Sequence, residues 1–461
     1  MILKPRRSIM NILVLNGSPK GKYSITLQTI NYLMQKYPDE KFEVLNVGQK
    51  IRTYEKDFSS AAESFAKADL IIFSYPVYTF IAPYQLHRFI ELTKESGIDL
   101  GGKYATQIST SKHFYDVTAH RYIQDNCCDM GMKYIRGLSA DMDDLLTEKG
   151  QKEARDFFDY VSFCTKNDIY EKPSVIISEP KQKPVTVPES SGDKKDDIVI
   201  LTNCKDNDEQ LKNMIARFSS VMPRKTRIVN IGEYPFKGGC LGCLNCAVSG
   251  KCVYKDGFDD FLRNNIQSAQ AIVIAFSIKD HSMGASFKLY DDRQFCNGHR
   301  AVTMGMPMGY LISGNYADEF NLQMIVEGRA QVGGNFLAGV ATDETDPDGE
   351  IDKLASSLDY ALNAGYVPPQ NFYGVGGTKI FRDLIWLMQG MMKADHKFYK
   401  AHGQYDFPQK QRGKMLAMYL VGGMASSKKL KAKMGNMMNE GMLMPYNKVL
   451  GIKPDFKSMI K

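Results

Sequence analysis

The chain has 461 residues, of which 43% are hydrophobic and 24% are charged, so it can form two or three ordinary globular domains. Its net charge of +7 is unevenly placed, because residues 371–461 carry 16 Lys and Arg against 5 Asp and Glu, and the remainder is mildly acidic. The body has no basic stripe interleaved with aromatic residues, which excludes a nucleic-acid-binding core. No apolar run is long enough to predict a transmembrane helix.

The first predicted domain, residues 10–168, alternates apolar strands with amphipathic helices. Strands are predicted at 11–15, 41–47, 68–74, 104–110 and 132–138, and helices at 24–35, 82–93, 120–130 and 149–164. Near-continuous apolar strands separated by helices predict a parallel sheet that is covered on both faces. Five such strands predict a doubly wound domain, in which ligands bind outside the carboxyl ends of the strands.

A linker is predicted at residues 169–196, where prolines, lysines and a Ser-Ser-Gly sequence indicate an extended and mobile segment. The alternating pattern then returns in a second predicted domain, residues 197–368. Its strands are predicted at 198–202, 226–231, 269–276, 309–314 and 336–340, with a first helix at 209–221. The repeated pattern indicates a tandem duplication that has diverged.

The tail, residues 369–461, lacks this alternation. A helix is predicted at 379–401, and residues 413–423 are apolar. One interpretation is a helical arm that packs on the two domains with methionine as an adaptable filler. The other is a basic, apolar arm that contacts a membrane surface or a protein partner.

A loop that follows the first strand has the composition of a phosphate site. It reads Asn16-Gly-Ser-Pro-Lys-Gly-Lys-Tyr-Ser-Ile-Thr26 and leads into a helix, whose free N–H groups and dipole favour an anion. The hydroxyls of Ser18, Ser24 and Thr26 add donors. The ATP-type loop and the dinucleotide fingerprint are both absent from this segment. A Gly-Ser turn with a good helix cap is the structural alternative.

The third strand ends in Ser74-Tyr-Pro-Val-Tyr-Thr-Phe, which we expect to flank the phosphate loop. Such a turn can present backbone groups to a planar ring, with Tyr78 as an aromatic wall. Alone, the same segment is also compatible with an aromatic-rich structural turn.

Four cysteines, Cys240, Cys243, Cys246 and Cys252, lie within thirteen residues, at gaps of two, two and five. Consecutive two-residue gaps are typical of an iron–sulfur cluster. Structural zinc more often uses two separated CxxC pairs, so zinc remains an alternative, as does a loop without metal.

The first domain resembles the flavodoxin-fold NAD(P)H-dependent FMN reductases in its "NGSPKGKYSIT" and "YPVYTFIAPYQLHRFI" segments. The segment "CLGCLNCAVSGKCVYKDGFDD" resembles the cysteine loop of iron–sulfur flavoproteins, a branch of the same superfamily. This resemblance covers residues 11–165 and 197–365. The fold it implies is α/β, with two tandem flavodoxin-like, doubly wound parallel sheets and a helical C-terminal arm.

The resemblance implies that FMN binds in the first domain and that NAD(P)H is the donor. Its phosphate would lie at Ser18, Lys20, Ser24, Ile25 and Thr26. The ring would lie along Pro76, Val77 and Tyr78, with Ser109, Thr110 and His113 on the other side; Tyr78 and His113 are the candidate catalytic residues. An ordinary loop histidine is the alternative for His113, and we expect Asp291, Asp292 and Arg293 to form a structural ion pair.

The second domain departs from this pattern. Its first loop carries Asp206, Asp208 and Glu209, which would repel a phosphate, and its third-strand loop lacks Pro-Val-Tyr. The resemblance further implies that a cluster in one subunit lies near the flavin of its partner. We therefore expect the two halves of this chain to form that pair, with a 4Fe-4S cluster in the second half.

Three functional hypotheses follow. The first is an FMN-dependent NAD(P)H oxidoreductase that reduces a small organic acceptor such as a quinone or enone. The second is an electron carrier for redox proteins, and the third is a zinc-stabilised flavodoxin-like protein. We expect a cytoplasmic location, because nine cysteines without a secretory signal indicate a reducing compartment. A homo-oligomer and a membrane-surface contact through the tail are further expectations.

Overall fold

A computed structural model of the chain describes residues 9–173, 181–189 and 197–426. The chain divides into two compact units, Met1–Tyr399 and Lys400–Lys461. Both predicted sheets form, and both lie in the first unit. No helix among the described residues is long and apolar enough to cross a membrane.

The first half of the chain, which runs from β1 to α6, contains a parallel sheet in the order β2-β1-β3-β4-β5, with β6 pairing with β4. Its strands are β1 (Asn11–Asn16), β2 (Lys41–Leu45), β3 (Leu70–Pro76), β4 (Tyr104–Ser111), β5 (Lys133–Tyr134) and β6 (Leu138–Asp141). Its helices are α1 (Ile25–Lys36), α2 (Val47–Tyr54), α3 (Ser59–Lys67), α4 (Tyr84–Glu95), α5 (Asp116–Asp129) and α6 (Glu148–Asn167).

The second half, which runs from β7 to α12, repeats this strand order in a sheet arranged β11-β10-β9-β7-β8. Its strands are β7 (Ile198–Thr202), β8 (Thr226–Asn230), β9 (Ala271–Ser277), β10 (Pro307–Ser313) and β11 (Phe336–Thr342). Its helices are α7 (Glu209–Val221), α8 (Asn245–Ser249), α9 (Phe258–Asn265), α10 (Gly284–Arg293), α11 (Phe320–Gly333) and α12 (Pro347–Ala364). Flavodoxin-like sheets have this order, and their switch point lies beside the first strand.

Each sheet is covered on both faces, as the apolar strands predict. Leu13 and Leu15 of β1 pack into one core layer, whereas the alternating Ile12 and Val14 pack into the other. Strand β7 divides its side chains between two layers in the same way. This period of two places both faces of each central strand in apolar surroundings.

The two halves meet through equivalent helices, with α4 packed on α10 and α5 packed on α11. The Tyr84 N–H at the start of α4 donates to Asp292 Oδ2 at 2.7 Å, and the Ala285 N–H near the start of α10 donates to Glu91 Oε1 at 2.8 Å. Each helix therefore has an N–H group near its N-terminus capped by a carboxylate of the opposite helix, where the helix dipole favours negative charge.

The described part of the linker, residues 181–189, is extended and lies against the second half. The Lys183 N–H donates to the carbonyl of Asp343 at 2.7 Å, and Gln182 Nε2 donates to Ser313 Oγ at 3.2 Å. Val185 is buried in the core of the second half. This segment therefore covers part of the carboxyl edge of the second sheet.

The C-terminal helices are α13 (Phe372–Leu387), α14 (Lys393–Ala401) and α15 (Arg412–Ser426). The single helix predicted at 379–401 is two helices, because residues 388–392 interrupt it. Helix α13 packs against α11. The predicted strand at 132–138 is likewise divided, into β5 and β6. Part of the predicted linker and all of the tail after α15, residues 427–461, lie outside the described residues.

Candidate functional site

Three loops of the first half meet at the carboxyl edge of its sheet. They follow β1, β3 and β4, and Thr110 at the end of β4 joins them. Its hydroxyl lies 2.5 Å from the hydroxyl of Thr26, in the first turn of α1. Its carbonyl accepts a hydrogen bond from the Val77 N–H at 3.1 Å. The predicted phosphate-binding and ring-binding residues are therefore brought together at one edge.

The loop after β1 presents donors to an anion. Ser18 and Ser24 are buried, and their hydroxyl oxygens accept hydrogen bonds from the N–H groups of Lys20 and Leu27. Neither hydroxyl hydrogen has an acceptor among the described residues, so both are available to a bound group. The first N–H groups of α1, on Ile25 and Thr26, have no intrahelical acceptor. These donors fit a phosphate, whereas the exposed side chain of Ile25 adds only its backbone.

The loop after β1 packs closely against helix α2. A β-carbon on Gly48, in the first turn of α2, would overlap the backbone of Gly17 and Ser18. The side-chain amide of Asn16 donates to the carbonyl of Gly21 at 3.0 Å. The sequence pattern did not predict α2, although it forms the floor of the loop.

The loop after β3 is a tight turn in an uncommon conformation. Thr79 and Phe80 have φ values of 42° and 77°, and the Tyr78 N–H donates to the Ile81 carbonyl at 2.8 Å. Such strained positions persist only where the surroundings hold them. Here the second half does so, because Lys288 Nζ donates to the Tyr78 carbonyl at 3.0 Å and Thr79 Oγ1 donates to Asp292 at 2.9 Å.

Pro76, Val77 and Tyr78 are each half-buried at the top of this turn. Burial raises the pKa of Tyr78 well above its ordinary value, and the neighbouring Cys240 and Asp292 raise it further. Tyr78 is therefore a neutral phenol that can form an aromatic wall and donate one hydrogen bond.

The loop after β4 carries the remaining predicted residues. Ser109 is buried and its hydroxyl lies 2.8 Å from His120 Nε2. Burial lowers the pKa of His120 to about 4, although Asp116 opposes the shift, so this imidazole is neutral. His113 is exposed and its Nδ1 lies 2.8 Å from Asp116 Oδ2. The structure thus places His113 in the loop after β4, with a carboxylate partner.

The four cysteines of the second half form a loop between β8 and α9. All four are free thiols and none is fully buried. Burial raises the pKa of Cys246 to about 11 and also raises that of Cys252, where Arg293 opposes it. A bound cation or cluster would be needed to stabilise the thiolates.

No group of three or more His, Cys, Asp or Glu side chains in the described ranges is gathered around one point as a metal ion requires. The donor chemistry of the loop fits an iron–sulfur cluster. Two arginines lie close to it, since Arg300 Nη1 donates to the Cys246 carbonyl at 3.4 Å and Arg293 Nη1 donates to the Gly238 carbonyl at 2.9 Å. Each is also paired with a carboxylate, Arg300 with Asp395 and Arg293 with Asp256.

The cysteine loop contacts the predicted flavin loops of the first half directly. Gly242, between Cys240 and Cys243, has φ +60°, and a β-carbon there would overlap the hydroxyl of Tyr78. The side chain of Lys20 lies next to the same glycine, with its Cε 3.3 Å from that β-carbon position. Gln85 Nε2 on α4 donates to the Cys240 carbonyl at 3.3 Å. The two predicted cofactor regions are therefore neighbours within one chain.

At the carboxyl edge of the second sheet, side chains of the second half fill the place that corresponds to the phosphate loop of the first half. Asp208 caps α7 by accepting from the Leu211 N–H at 3.3 Å, and it also accepts from Ser277 Oγ. The position that would hold a phosphate in the first half is thus occupied by an internal carboxylate. The third-strand turn survives without Pro-Val-Tyr, since Asp280 and His281 have φ values of 53° and 60°.

Two buried or partly buried ionisable side chains, Lys288 and His299, were not predicted from the sequence. Lys288 is fully buried and pairs with Asp291 and Asp292. The expected ion pair of these aspartates with Arg293 is wrong, because the Arg293 side chain instead donates to Asp256 at 2.8 Å. His299 Nδ1 lies 3.0 Å from Asp395 of α14. Neither position carries a sequence signal of its own, because Lys288 lies beside Asp291, Asp292 and Arg293 and His299 beside Arg300, without a regular spacing.

A family model described as a flavodoxin-like fold matches residues 10–155. Among solved structures, the chain is similar to an NAD(P)H:quinone oxidoreductase from Methanothermobacter marburgensis, with 11% identity over 36% of this chain and 98% of that one, at a TM-score of 0.28. It is also similar to general stress protein 14 of Treponema denticola in complex with FMN, with 13% identity over 33% and 98%, at a TM-score of 0.28. No curated protein matches the chain.

Proposed function

We propose that this chain is an FMN-dependent NAD(P)H oxidoreductase that also holds a 4Fe-4S cluster and delivers electrons to a small organic acceptor such as a quinone or enone. The contact between Tyr78 and Gly242 is the observation that carries the proposal, because it joins the loop expected to flank a flavin ring to the cysteine loop. The flavodoxin-like fold of residues 10–155 supports FMN as the cofactor of the first half.

The residues that would hold FMN are those gathered at Thr110. Ser18, Ser24 and Thr26 would hold the phosphate with hydroxyl and N–H donors, and Lys20 supplies positive charge at the mouth of the loop. Pro76, Val77, Tyr78, Ser109 and Thr110 would flank the ring. When bound, FMN supplies hydride exchange with NAD(P)H and single-electron exchange with a cluster.

The chain's own contribution is orientation and shielding. Side chains of the second half hydrogen-bond to Thr79 and stabilise the turn at Thr79 and Phe80. They thereby fix the position of Tyr78, next to which we expect the flavin ring to bind. His113, paired with Asp116, is our candidate proton carrier at the open side of the same site. Cys240, Cys243, Cys246 and Cys252 would bind the cluster.

Anaerobic purification followed by flavin, iron and sulfide analysis tests this proposal. We expect one FMN and about four irons per chain. Cys243→Ser should lower the iron content, whereas Cys204→Ser, a partly buried thiol outside the loop, should not. FMN with zinc in place of iron would support the zinc-stabilised alternative, and a chain that binds no FMN would refute the proposal.

A small acceptor is favoured over a protein partner by the position of α13. Phe381 of this helix contacts Phe114, which follows His113, with ring centroids 4.4 Å apart. Helix α13 thus covers part of the loop after β4 and leaves less room there for a docking protein. Steady-state reduction of 2-methyl-1,4-naphthoquinone by NADH or NADPH would distinguish the two functions.

The helix α15 suggests a membrane surface as a further partner. It exposes Met415, Leu416, Met418, Tyr419 and Leu420. Residues 408–439 contain seven Lys and Arg and no Asp or Glu, a composition that favours anionic lipid. Sedimentation with anionic but not with zwitterionic vesicles is the expected result, and equal recovery with both would refute this contact.

A further inference from the structure

Six aromatic side chains are linked in a row by five ring contacts at the loops that follow β3 and β4, and we call this row the circuit because its two ends, Tyr78 and Phe80, belong to the same turn. Neighbouring ring centroids lie 4.4 to 6.2 Å apart around the circuit. Its members are Tyr78 and Phe80 of the loop after β3, Phe114 of the loop after β4, Phe295 and His299 of the second half, and Phe381 of α13. The circuit therefore joins both halves and helix α13 at the two loops that are expected to flank a flavin.

This circuit differs from ordinary core packing in its exposure. Only Phe80 is fully buried, and the other five rings are partly accessible to solvent. Aromatic residues that meet without completing their burial offer faces and edges to a further planar group. Tyr78 belongs to the turn where the ring of a flavin is expected, and Phe295 packs against it with ring centroids 5.7 Å apart.

One member of the circuit is polar, and its orientation is fixed. His299 Nδ1 pairs with Asp395 Oδ2 at 3.0 Å, and Asp395 is fully buried. The same carboxylate accepts from Arg300 Nη1 at 2.8 Å. With Nδ1 committed to Asp395, the ring presents Nε2, for which the structure gives no partner among the described residues. Nε2 donates a hydrogen bond when the imidazole is protonated and accepts one when it is neutral.

We infer that this circuit is the acceptor-binding site and that its ligand is a planar aromatic molecule with oxygen at its edge, which is the chemistry of a quinone and its hydroquinone. The inference rests on the proposed function and specifies its substrate class. Phe381 and Phe295 contact the ring of the ligand, and His299 Nε2 hydrogen-bonds its oxygen. Asp395 is a positioning residue, since it acts through His299.

Equilibrium dialysis tests the site without turnover. The oxidised, FMN-loaded chain is equilibrated with 2-methyl-1,4-naphthoquinone or with 2-methylnaphthalene, in the absence of NAD(P)H. Phe381→Ala should weaken both ligands about tenfold, because it removes a stacking face. Phe372→Ala, on the same helix but 84% exposed, is the matched control and should change neither. Phe381→Leu keeps more of the side-chain volume if the alanine variant unfolds.

The polar contact is tested by His299→Phe, which keeps an aromatic ring in the circuit. We expect the affinity for the quinone to fall about three- to tenfold while that for 2-methylnaphthalene stays unchanged. Asp395→Asn should reproduce the quinone-specific loss more weakly. In steady state, both variants should raise KM for the quinone more than they lower kcat.

Equal affinities in Phe381→Ala and Phe372→Ala would overturn the site, and equal losses for both ligands in His299→Phe would overturn the role of His299. These failures are distinguishable from failure of the proposed function. A chain that binds FMN and reduces quinones, but is insensitive to these substitutions, refutes only the present inference. The single tryptophan, Trp386 on α13, provides a fluorescence signature of whether the helix stays docked.

Discussion

The two halves of the molecule share a backbone but not a site chemistry. Both sheets have the same strand order, and both third strands lead into a turn with two consecutive residues at positive φ. In the first half the turn is Tyr78-Thr79-Phe80-Ile81, and in the second it is Lys279-Asp280-His281-Ser282. No glycine occupies the strained positions in either turn, so contacts from the opposite half have to hold them.

The contacts between the two halves are reciprocal, whereas the loops at the N-termini of their first helices differ in charge. Asp292 of α10 caps α4, and Glu91 of α4 caps α10. At the N-terminus of the first helix of each half, however, the Ser24 hydroxyl hydrogen has no acceptor in the described part of the chain, whereas Asp208 places a negative charge. The comparison shows that the packing between halves depends on charged pairs, while a few loop residues decide which half can receive an anion.

The largest effect on stability is expected when the buried ion pair between Lys288 and Asp292 is broken. Lys288 and His87 occupy equivalent positions on α10 and α4, and both are buried. Lys288→Met should lower the free energy of unfolding by about 3–5 kcal/mol, because it leaves Asp292 buried without its countercharge. His87→Phe should change it by no more than about 1 kcal/mol, since neither ring nitrogen has a partner among the described residues. Urea unfolding of both variants measures the difference.

A second prediction concerns pH. Burial lowers the pKa of His281, but its hydrogen bonds to Asp129 and Glu319 outweigh burial and raise the pKa to about 10. This contribution is fully present below the unfolded pKa of about 6.5 and is lost as pH rises towards 10. His281→Gln should therefore destabilise the chain by about 3 kcal/mol at pH 6 and by much less at pH 10. A loss that is independent of pH would contradict this account.

A third prediction concerns glycines of the cysteine loop. It distinguishes the cost of backbone strain at positive φ from the cost of steric overlap with Tyr78. Gly242 and Gly250 both have positive φ, at 60° and 75°, so an alanine at either costs about 1–2 kcal/mol. Only in Gly242→Ala does the new β-carbon also overlap Tyr78. This overlap should destabilise the chain by about 1–3 kcal/mol more and push the cysteine loop away from the first half. We expect slower electron exchange between flavin and cluster in Gly242→Ala alone, measured by rapid-reaction spectroscopy. Equal rates would show that the contact is unimportant for transfer.

The smallest expected effect compares equivalent hydroxyls at the two sheet edges. Thr110→Val removes the hydroxyl pair with Thr26 and should weaken FMN binding about three- to tenfold. Ser313→Ala, at the end of the fourth strand of the second half, removes hydrogen bonds to Asp343 and Gln182 and should leave FMN binding unchanged. Flavin titration measures both. A similar loss in the two variants would indicate a general effect on folding.

The strands could be predicted because each is a continuous apolar run, and the anion loop because its composition is local. Helix α2 could not, since Val47–Tyr54 is mostly polar and is helical because it packs beneath the loop after β1. The contact between Tyr78 and Gly242 was expected only from the family resemblance, because nothing local in either loop specifies a partner 164 positions away. His299 and Asp395 were missed for the same reason, as their pairing exists only after α14 docks.

The extended segment at residues 181–189 has a consequence for how the two halves associate. Two separate chains would form such a pair only at concentrations above their dissociation constant, whereas a tether makes the association intramolecular, with effective concentrations in the millimolar range. In a symmetric dimer, moreover, every substitution appears twice. In this chain Asp208 is introduced once, so one sheet edge is closed while the other keeps its donors free.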